Sequence, residues 1–357
     1  MLNSRTPAIL ISGIAIVYIL IVTKSFLLPF MLALIIWYVI RGAKNFLRRN
    51  KFIRNRFPSW LQNSLVFVLI FMVLGGVAEL LRSSIQRFVL ILPQYEANVQ
   101  KINAAINNTF NFDTLEYLRN YSGTADFSST IQPVINSLTT ILGDGFMIII
   151  YCIFLLLEEA VFRKKFELIF SNEGKLEEAK AISQKIDRSF SHYISLKTFV
   201  SLLTAGLSYI VLLIIGVDVP ILWAFLIFLL NYIPSIGSLI ATAFPAVVAM
   251  LQFGEVMPGI WVLVGVGAIQ VLVGNGIEPR LMGNTLNISP LVVILSLVVW
   301  GSIWGILGMV LSVTIMVMLI TIMAQFPATK NIAIMLSAKG LVEPKKEPVP
   351  INTASED

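Results

Sequence analysis

Charge is what this sequence has least of. Of its 357 residues, 13% are charged and 57% are hydrophobic, whereas an ordinary soluble domain carries roughly 25% charge. The mean hydropathy is +0.85. No soluble core of this size could hide so much apolar surface. That excludes a disordered chain, a nucleic-acid-binding domain and an ordinary cytosolic enzyme. Cysteine is nearly absent, and the single Cys152 permits no intramolecular disulfide. The lone His192 excludes His-rich metal sites and paired-histidine catalysis. Walker A, His-Glu-x-x-His, Gly-x-Ser-x-Gly and Cys-x-x-Cys motifs are all missing. The chain therefore reads as an all-α integral membrane protein. It is expected to be no enzyme, to need no cofactor or metal, to bind no nucleic acid and not to be driven directly by ATP.

What is present is apolar length. A helix needs about 20 apolar residues to cross a hydrocarbon layer about 30 Å thick. Six runs qualify or come close: Pro7–Thr23, Phe26–Ile40, Trp60–Leu81, Leu138–Leu157, Leu196–Ile215 and Pro258–Val273. The first has only a thin basic start at Arg5 and no small-x-small site before Lys24, so it reads as a retained span. Two further stretches, Pro220–Phe253 and Ile288–Met323, are too long for one crossing; as straight helices they would reach about 50 Å. Each opens near a proline, Pro220 or Pro290. Each is interrupted near its middle, the first at Asn231-Tyr232-Ile233-Pro234-Ser235-Ile236-Gly237, the second between Gly301 and Gly308. Freed backbone groups in lipid must be met by protein or water. The expected architecture is about eight membrane segments, two of them broken or re-entrant helical hairpins, plus an extramembrane helical hairpin. Paired, interrupted hydrophobic segments point to a transporter's substrate site. The competing reading is a kink with close packing, since Gly301-x-x-x-Gly305 is also a helix-packing pattern.

Basic residues set the orientation, because Lys and Arg collect on the cytoplasmic side. The loop 41–59 carries seven of them and no acid, while 82–137 carries four in 56 residues. Threading these through the spans puts both termini inside. Residues 1–81 form three transmembrane helices with the basic cytoplasmic loop 41–59. Residues 82–137 form an extracytoplasmic helical hairpin, since Ile85, Phe88, Leu92, Tyr95, Val99, Ile102 and Ile106 repeat at helix–helix spacing. Residues 138–157 are the fourth span, 158–195 cytoplasmic amphipathic helices, and 196–326 a transport core containing 220–253 and 288–323. The tail 327–357 is cytoplasmic, with a Pro- and charge-rich end expected to be disordered. Charge does not decide whether the two long stretches are re-entrant or cross once.

The expected substrate path runs over the hairpin tips: Asn231, Tyr232, Pro234, Ser235, Gly237, Gly301, Ser302, Gly305 and Gly308. Residues 281–329 contain no charge, so a path there uses backbone dipoles, amides and hydroxyls. Glu278 and Arg280 read either as a gate or anchoring ion pair, or as an exposed interfacial pair worth about 0–1 kcal/mol. Asp144 and Asp218 are possible coupling residues. The leading function is a secondary transporter exporting a small polar solute. The alternative is a cation/proton antiporter, for which the sequence offers only peripheral carboxylates; a membrane scaffold would leave the paired breaks unexplained.

The run Glu278-Pro279-Arg280-Leu281-Met282-Gly283-Asn284-Thr285-Leu286-Asn287-Ile288-Ser289-Pro290-Leu291, followed by Trp300-Gly301-Ser302-Ile303-Trp304-Gly305-Ile306-Leu307-Gly308-Met309, resembles the signature of the AI-2E family. These are bacterial autoinducer-2 exporters, also called PerM-like permeases. Asn231–Gly237 and Leu92-Pro93-Gln94-Tyr95 resemble its other markers. The resemblance covers nearly the whole chain in segment order. It implies about eight membrane segments, a homo-oligomer that is a pentamer, and a multi-pass place in the bacterial cytoplasmic (inner) membrane, with the lipid bilayer and a small-molecule or ion substrate as partners. It further implies export of a quorum-sensing signal, autoinducer-2, or, for some members, Na+(K+)/H+ antiport. Two family prolines are replaced here, one by Val313-Thr314 and one by the basic residues from Arg41. The second limb of the last hairpin is therefore expected to be straighter.

Overall fold

The computed structural model describes residues 5–48, 59–110, 127–171, 176–234, 236–282 and 287–340. The expected turn of the extramembrane hairpin, most of the basic loop, Ser235 and the end of the tail lie outside the described residues. Every regular element among them is helical: α1 (Arg5–Val22), α2 (Lys24–Arg48), α3 (Ser59–Phe110), α4 (Phe127–Gly143), α5 (Gly145–Ser171), α6 (Leu176–Ile215), α7 (Pro220–Leu230), α8 (Ile236–Phe253), α9 (Val256–Val271), α10 (Glu278–Met282), α11 (Pro290–Trp304), α12 (Ile306–Met323) and α13 (Pro327–Leu336). A π-helical segment, Leu272–Ile277, joins α9 to α10.

Six helices are long and apolar enough to cross a membrane, and the pair Ile135–Gly143 and Gly145–Glu159, bent by 49°, makes a seventh. The expected count was about eight. α7 and α11 are shorter apolar helices. At about 1.5 Å per residue α7 is only about 16 Å long and α11 about 22 Å.

Both short helices double back. Residues eight apart in a straight helix are separated by about 12 Å. Yet a methyl group on Gly301 would lie 2.8 Å from the Met309 side chain, and one on Gly308 would lie 2.0 Å from the Trp300 carbonyl oxygen. The chain therefore reverses at Gly305, and α11 packs closely along α12. Gly305 has φ 68° and ψ −149°, a conformation open in practice to glycine alone. The earlier hairpin reverses across Asn231–Pro234. There a methyl on Gly237 would fall 1.9 Å from the carbonyl oxygen of Leu230. Prolines at the first helical positions start α7 and α11, where the missing N–H has no intrahelical partner to lose.

α12 lies at the centre. Its span is 56% buried, against 12% for Phe67–Tyr95 of α3. α12 has no polar face, as suits a helix enclosed by protein and lipid. α3 is 52 residues long, about 78 Å, so it extends far past any bilayer. Its far half docks onto two turns of the bundle. Phe88 meets Trp223 edge-on at 5.2 Å, and the Asn98 amide donates to the carbonyl of Leu251 at 2.8 Å. At the opposite end of the bundle Arg41 makes a bidentate pair with Asp187 at 2.6 and 3.1 Å and lies 4.7 Å from the Trp37 ring. It also approaches Glu159 at 3.5 Å, so one guanidinium ties α2 to α5 and α6.

Gly308→Ala should lower the melting temperature of the purified protein in detergent, by the equivalent of about 1–3 kcal/mol or more for an overpacked backbone contact. Gly13→Ala, where nothing lies within 4 Å, should leave it unchanged or slightly raised. Equal melting of Gly308→Ala and wild type would contradict the reversal at Gly305.

Candidate functional site

α6 carries a polar stripe along its buried face. Tyr193, Lys197, Ser201, Thr204 and Ser208 are all buried and recur every three or four residues, which keeps them on one side of the helix. The first hairpin docks its turn on this stripe. The Asn231 amide donates to the Ser201 hydroxyl at 3.1 Å, and the Thr198 and Tyr232 hydroxyls share a hydrogen bond of 2.8 Å. Asn231 and Tyr232 are themselves buried. The turn's side chains thus find partners on α6, as a break among apolar helices requires.

One turn along the stripe, Lys197 Nζ donates to Glu278 Oε1 at 2.5 Å. The two side chains are 5% and 17% exposed. The π-helical segment before Glu278 contains Gly274-Asn275-Gly276. One extra residue in a helical turn rotates the chain beyond it by about 100°, and Glu278 emerges facing α6. The sequence pattern pairs Glu278 with Arg280 across a linker. The segment is helical instead, Arg280 is exposed, and Glu278 reaches a lysine 81 residues earlier.

The other expected residues are distributed differently. Gly237 is buried and Pro234 half-buried beside Asn231 and Tyr232. Gly301, Gly305 and Gly308 shape the second reversal. Ser302 is exposed and donates to its own helix, to the Val298 carbonyl at 2.8 Å, so it does not join the stripe. Asp218 is a joint: its carboxylate accepts from the Tyr95 hydroxyl at 2.8 Å, its N–H donates to Gln252 Oε1 at 2.7 Å and its carbonyl accepts from Trp223 Nε1 at 3.0 Å. Asp144 sits half-buried at the bend between α4 and α5. Its backbone carries the helical ladder through, bonding Thr140 and Ile148.

The two hairpin tips meet. Leu229, Leu230 and Ile240 from the first and Ile306, Leu307 and Val310 from the second line one apolar cavity of about 40 Å³. Residues absent from the sequence-based set are those that α6 contributes, Lys197, Thr198, Ser201 and Ser208. The signal was a hydroxyl recurring every three or four residues inside an apolar run, led by a lysine at its edge.

A family model described as "AI-2E family transporter" matches residues 8–328. A Haemophilus influenzae protein whose name assigns it provisionally to transport is 32% identical over 337 residues, covering 91% of this chain and 94% of its own. The "AI-2 transport protein TqsA" of Escherichia coli is 30% identical over 315 residues, covering 87% of this chain and 89% of its own. A similarly named Borreliella burgdorferi protein is 26% identical, covering 88% and 85%.

Lys197→Met leaves Glu278 buried without its partner and should destabilise the protein by about 3–5 kcal/mol. Adding Glu278→Met should recover most of that loss, since an apolar pair of similar volume is often as stable as a buried ion pair. Thermal melting of the two single variants and the double variant checks it. A double variant no better than Lys197→Met would mean that the two charges do not act as a pair.

Proposed function

The chain belongs to the AI-2E transporter family, and we propose that it is a secondary transporter exporting a small polar solute, an autoinducer-2-like signal, along a path between its two hairpins. The observation that carries this reading is the meeting of both hairpin tips at one cavity, with the polar stripe of α6 beside the first. α7 and α11 are too short to cross. In this reading both hairpins are re-entrant, and their tips place helix N-termini within the membrane. Those N-termini favour oxygen atoms carrying partial negative charge. Asn231, Tyr232 and the glycines of the second reversal then form the walls of the path.

The cavity between the hairpins and α4 is small, about 40 Å³, so transport requires a hairpin to move. Glu278 with Lys197, in place of Arg280, is the gate contact. Its separation needs water, which arrives with the solute. Asp218 and Asp144 have no coupling role here, one being held in the joint with Tyr95 and the other lying at a helix bend. No specific observation favours cation/proton antiport, because the most enclosed of the expected carboxylates, Glu278, is already neutralised. The protein sits in the bacterial cytoplasmic membrane with both termini inside, as a homo-oligomer with five subunits. Residues 196–326 form its transport core, and 82–110 and 127–137 lie on the outer side.

Purified protein in proteoliposomes under an imposed proton gradient tests this. Autoinducer-2 should move without a requirement for Na+ or K+. Gly301→Leu, which pushes a branched side chain into Met309, and Pro234→Ala, which alters the first turn, should each cut flux at least tenfold while membrane insertion is retained. Cation-dependent change in lumenal pH without movement of the signal would replace exporter by antiporter.

A further inference from the structure

Transport along a path between the hairpins requires one of them to move, and the two ends of the first hairpin have the backbone of a hinge. Among the described residues four glycines have positive φ, and two of them bracket this hairpin: Gly216 (φ 82°) before it and Gly254 (φ 69°) after it. Glycine populates positive and negative φ about equally. Between Gly216 and α7, Val219 has φ 50° and ψ 51°. It is the one non-glycine residue with positive φ among those described. A β-branched side chain is an outlier in that region. The residue before a proline is also held to extended angles, and Pro220 follows. Val219 is therefore strained on two counts. The flanks of the second hairpin, Ser289 (φ −59°, ψ 133°) and Ala324 (φ −66°, ψ −21°), have ordinary angles.

Strain of this kind persists only where neighbouring groups over-determine it, and here hydrogen bonds do so. Both backbone groups of Asp218 are taken by side chains. Its N–H donates to Gln252 Oε1 at 2.7 Å, and its carbonyl accepts from Trp223 Nε1 at 3.0 Å. Gln252 Nε2 donates to the Gly216 carbonyl at 2.8 Å, so one side chain ties the chain leaving the hairpin to the chain entering it. α3 holds both from outside. Tyr95 and Asn98 lie three residues apart, on one face of that helix. At the entry, the Tyr95 hydroxyl donates to the Asp218 carboxylate at 2.8 Å. At the exit, the Asn98 amide donates to the carbonyls of Leu251 and Gln252 at 2.8 and 3.3 Å. Phe88, two turns earlier on the same face, packs edge-on against Trp223.

We propose that residues 216–219 and 254 form the hinge on which the first hairpin swings, and that α3, through Tyr95 and Asn98, is the latch that holds it closed. Release of the latch frees Asp218, and Val219 relaxes to the extended angles that Pro220 favours. α7 then rotates about its first turn. A rotation of about 20° carries the tip of a helix about 16 Å long through about 5–6 Å. That movement breaks the bonds of Asn231 to Ser201 and of Tyr232 to Thr198, now 3.1 and 2.8 Å long. The strain in Val219 works against the latch, so the two bias the hairpin in opposite senses. The inference deepens the transporter reading above, and its place in the transport cycle rests on that reading.

Amide hydrogen exchange on the full-length protein in lipid nanodiscs tests it, because exchange reports local opening. Exchange is read at residues 231–233 of the tip, and at Gly305 and Met309 of the second reversal for comparison. Tyr95→Phe and Gln252→Ala should each speed exchange at the tip at least fivefold and leave the second reversal unchanged. Val219→Gly should slow it at least threefold, because glycine accepts left-handed angles and gives up the preference of valine for extended ones. Val219→Asn, which also tolerates the left-handed region, should act in the same sense. A merely structural role would speed exchange in all four variants. Autoinducer-2 flux, measured separately in proteoliposomes, should change in the same sense as exchange. If the wild type moves no autoinducer-2, the transporter reading fails, and exchange still decides the hinge. Unchanged tip exchange in both Tyr95→Phe and Gln252→Ala, equal acceleration at the two reversals, or faster exchange in both Val219 variants overturns the hinge and leaves the transporter reading standing.

Discussion

Hydrocarbon offers a backbone amide no partner, so a chain this apolar can interrupt its helices only where its own polar groups or a wet cavity meet the exposed N–H and C=O groups. This chain interrupts two, at Asn231–Pro234 and at Gly305, and the rest of the bundle is arranged around them. α6 turns part of its buried face to the first interruption. Its hydroxyls receive Asn231 and Tyr232, and its lysine receives the glutamate that comes after the π-helical segment. α12, the most enclosed of the described spans, is the second limb of the other hairpin.

The two reversals are solved by different chemistry. The first is polar: its turn side chains reach across to α6. The second is steric. Gly305 supplies the backbone angle, Gly308 allows the carbonyl of Trp300 to approach, and Trp304 donates its indole N–H to the Leu20 carbonyl of α1 at 3.0 Å. A turn built from close packing has fewer ways to deform than one built from hydrogen bonds, because packed interiors lose contacts steeply with small gaps. Asn287 adds to this by bonding the backbone of Lys339 and Gly340, so the start of α11 is strapped to the segment after α13.

Much of this was legible because it is local. Two long apolar stretches with mid-point Gly, Pro and Ser announced two interruptions, and the glycines stand where the chain reverses. Contacts between distant segments were not legible. Glu278 reads naturally against Arg280 two residues away, but its partner is Lys197, and no local pattern connects them. The π-helical segment explains the difference: one extra residue in the turn rotates Glu278 away from the face that a regular α-helix would give it. Asp218 likewise has a distant partner. As an acid between apolar runs it suggested coupling, whereas the hydroxyl of Tyr95, 123 residues earlier, occupies its carboxylate.

The Lys197–Glu278 pair is poorly explained by stability alone. Two apolar side chains of the same volume would hold α6 to α10 at least as well, because desolvation offsets most of the attraction within a buried pair. What apolar side chains cannot do is respond to water. A buried ion pair is tight while the surroundings are dry and loosens once its charges can be hydrated, since the attraction falls as the local dielectric rises. In the proposed cycle that makes the pair a contact which reports whether the neighbouring stripe is wet. It also keeps the stripe electrically neutral while dry, so that the nearby hydroxyls and amides, rather than a net charge, meet the solute.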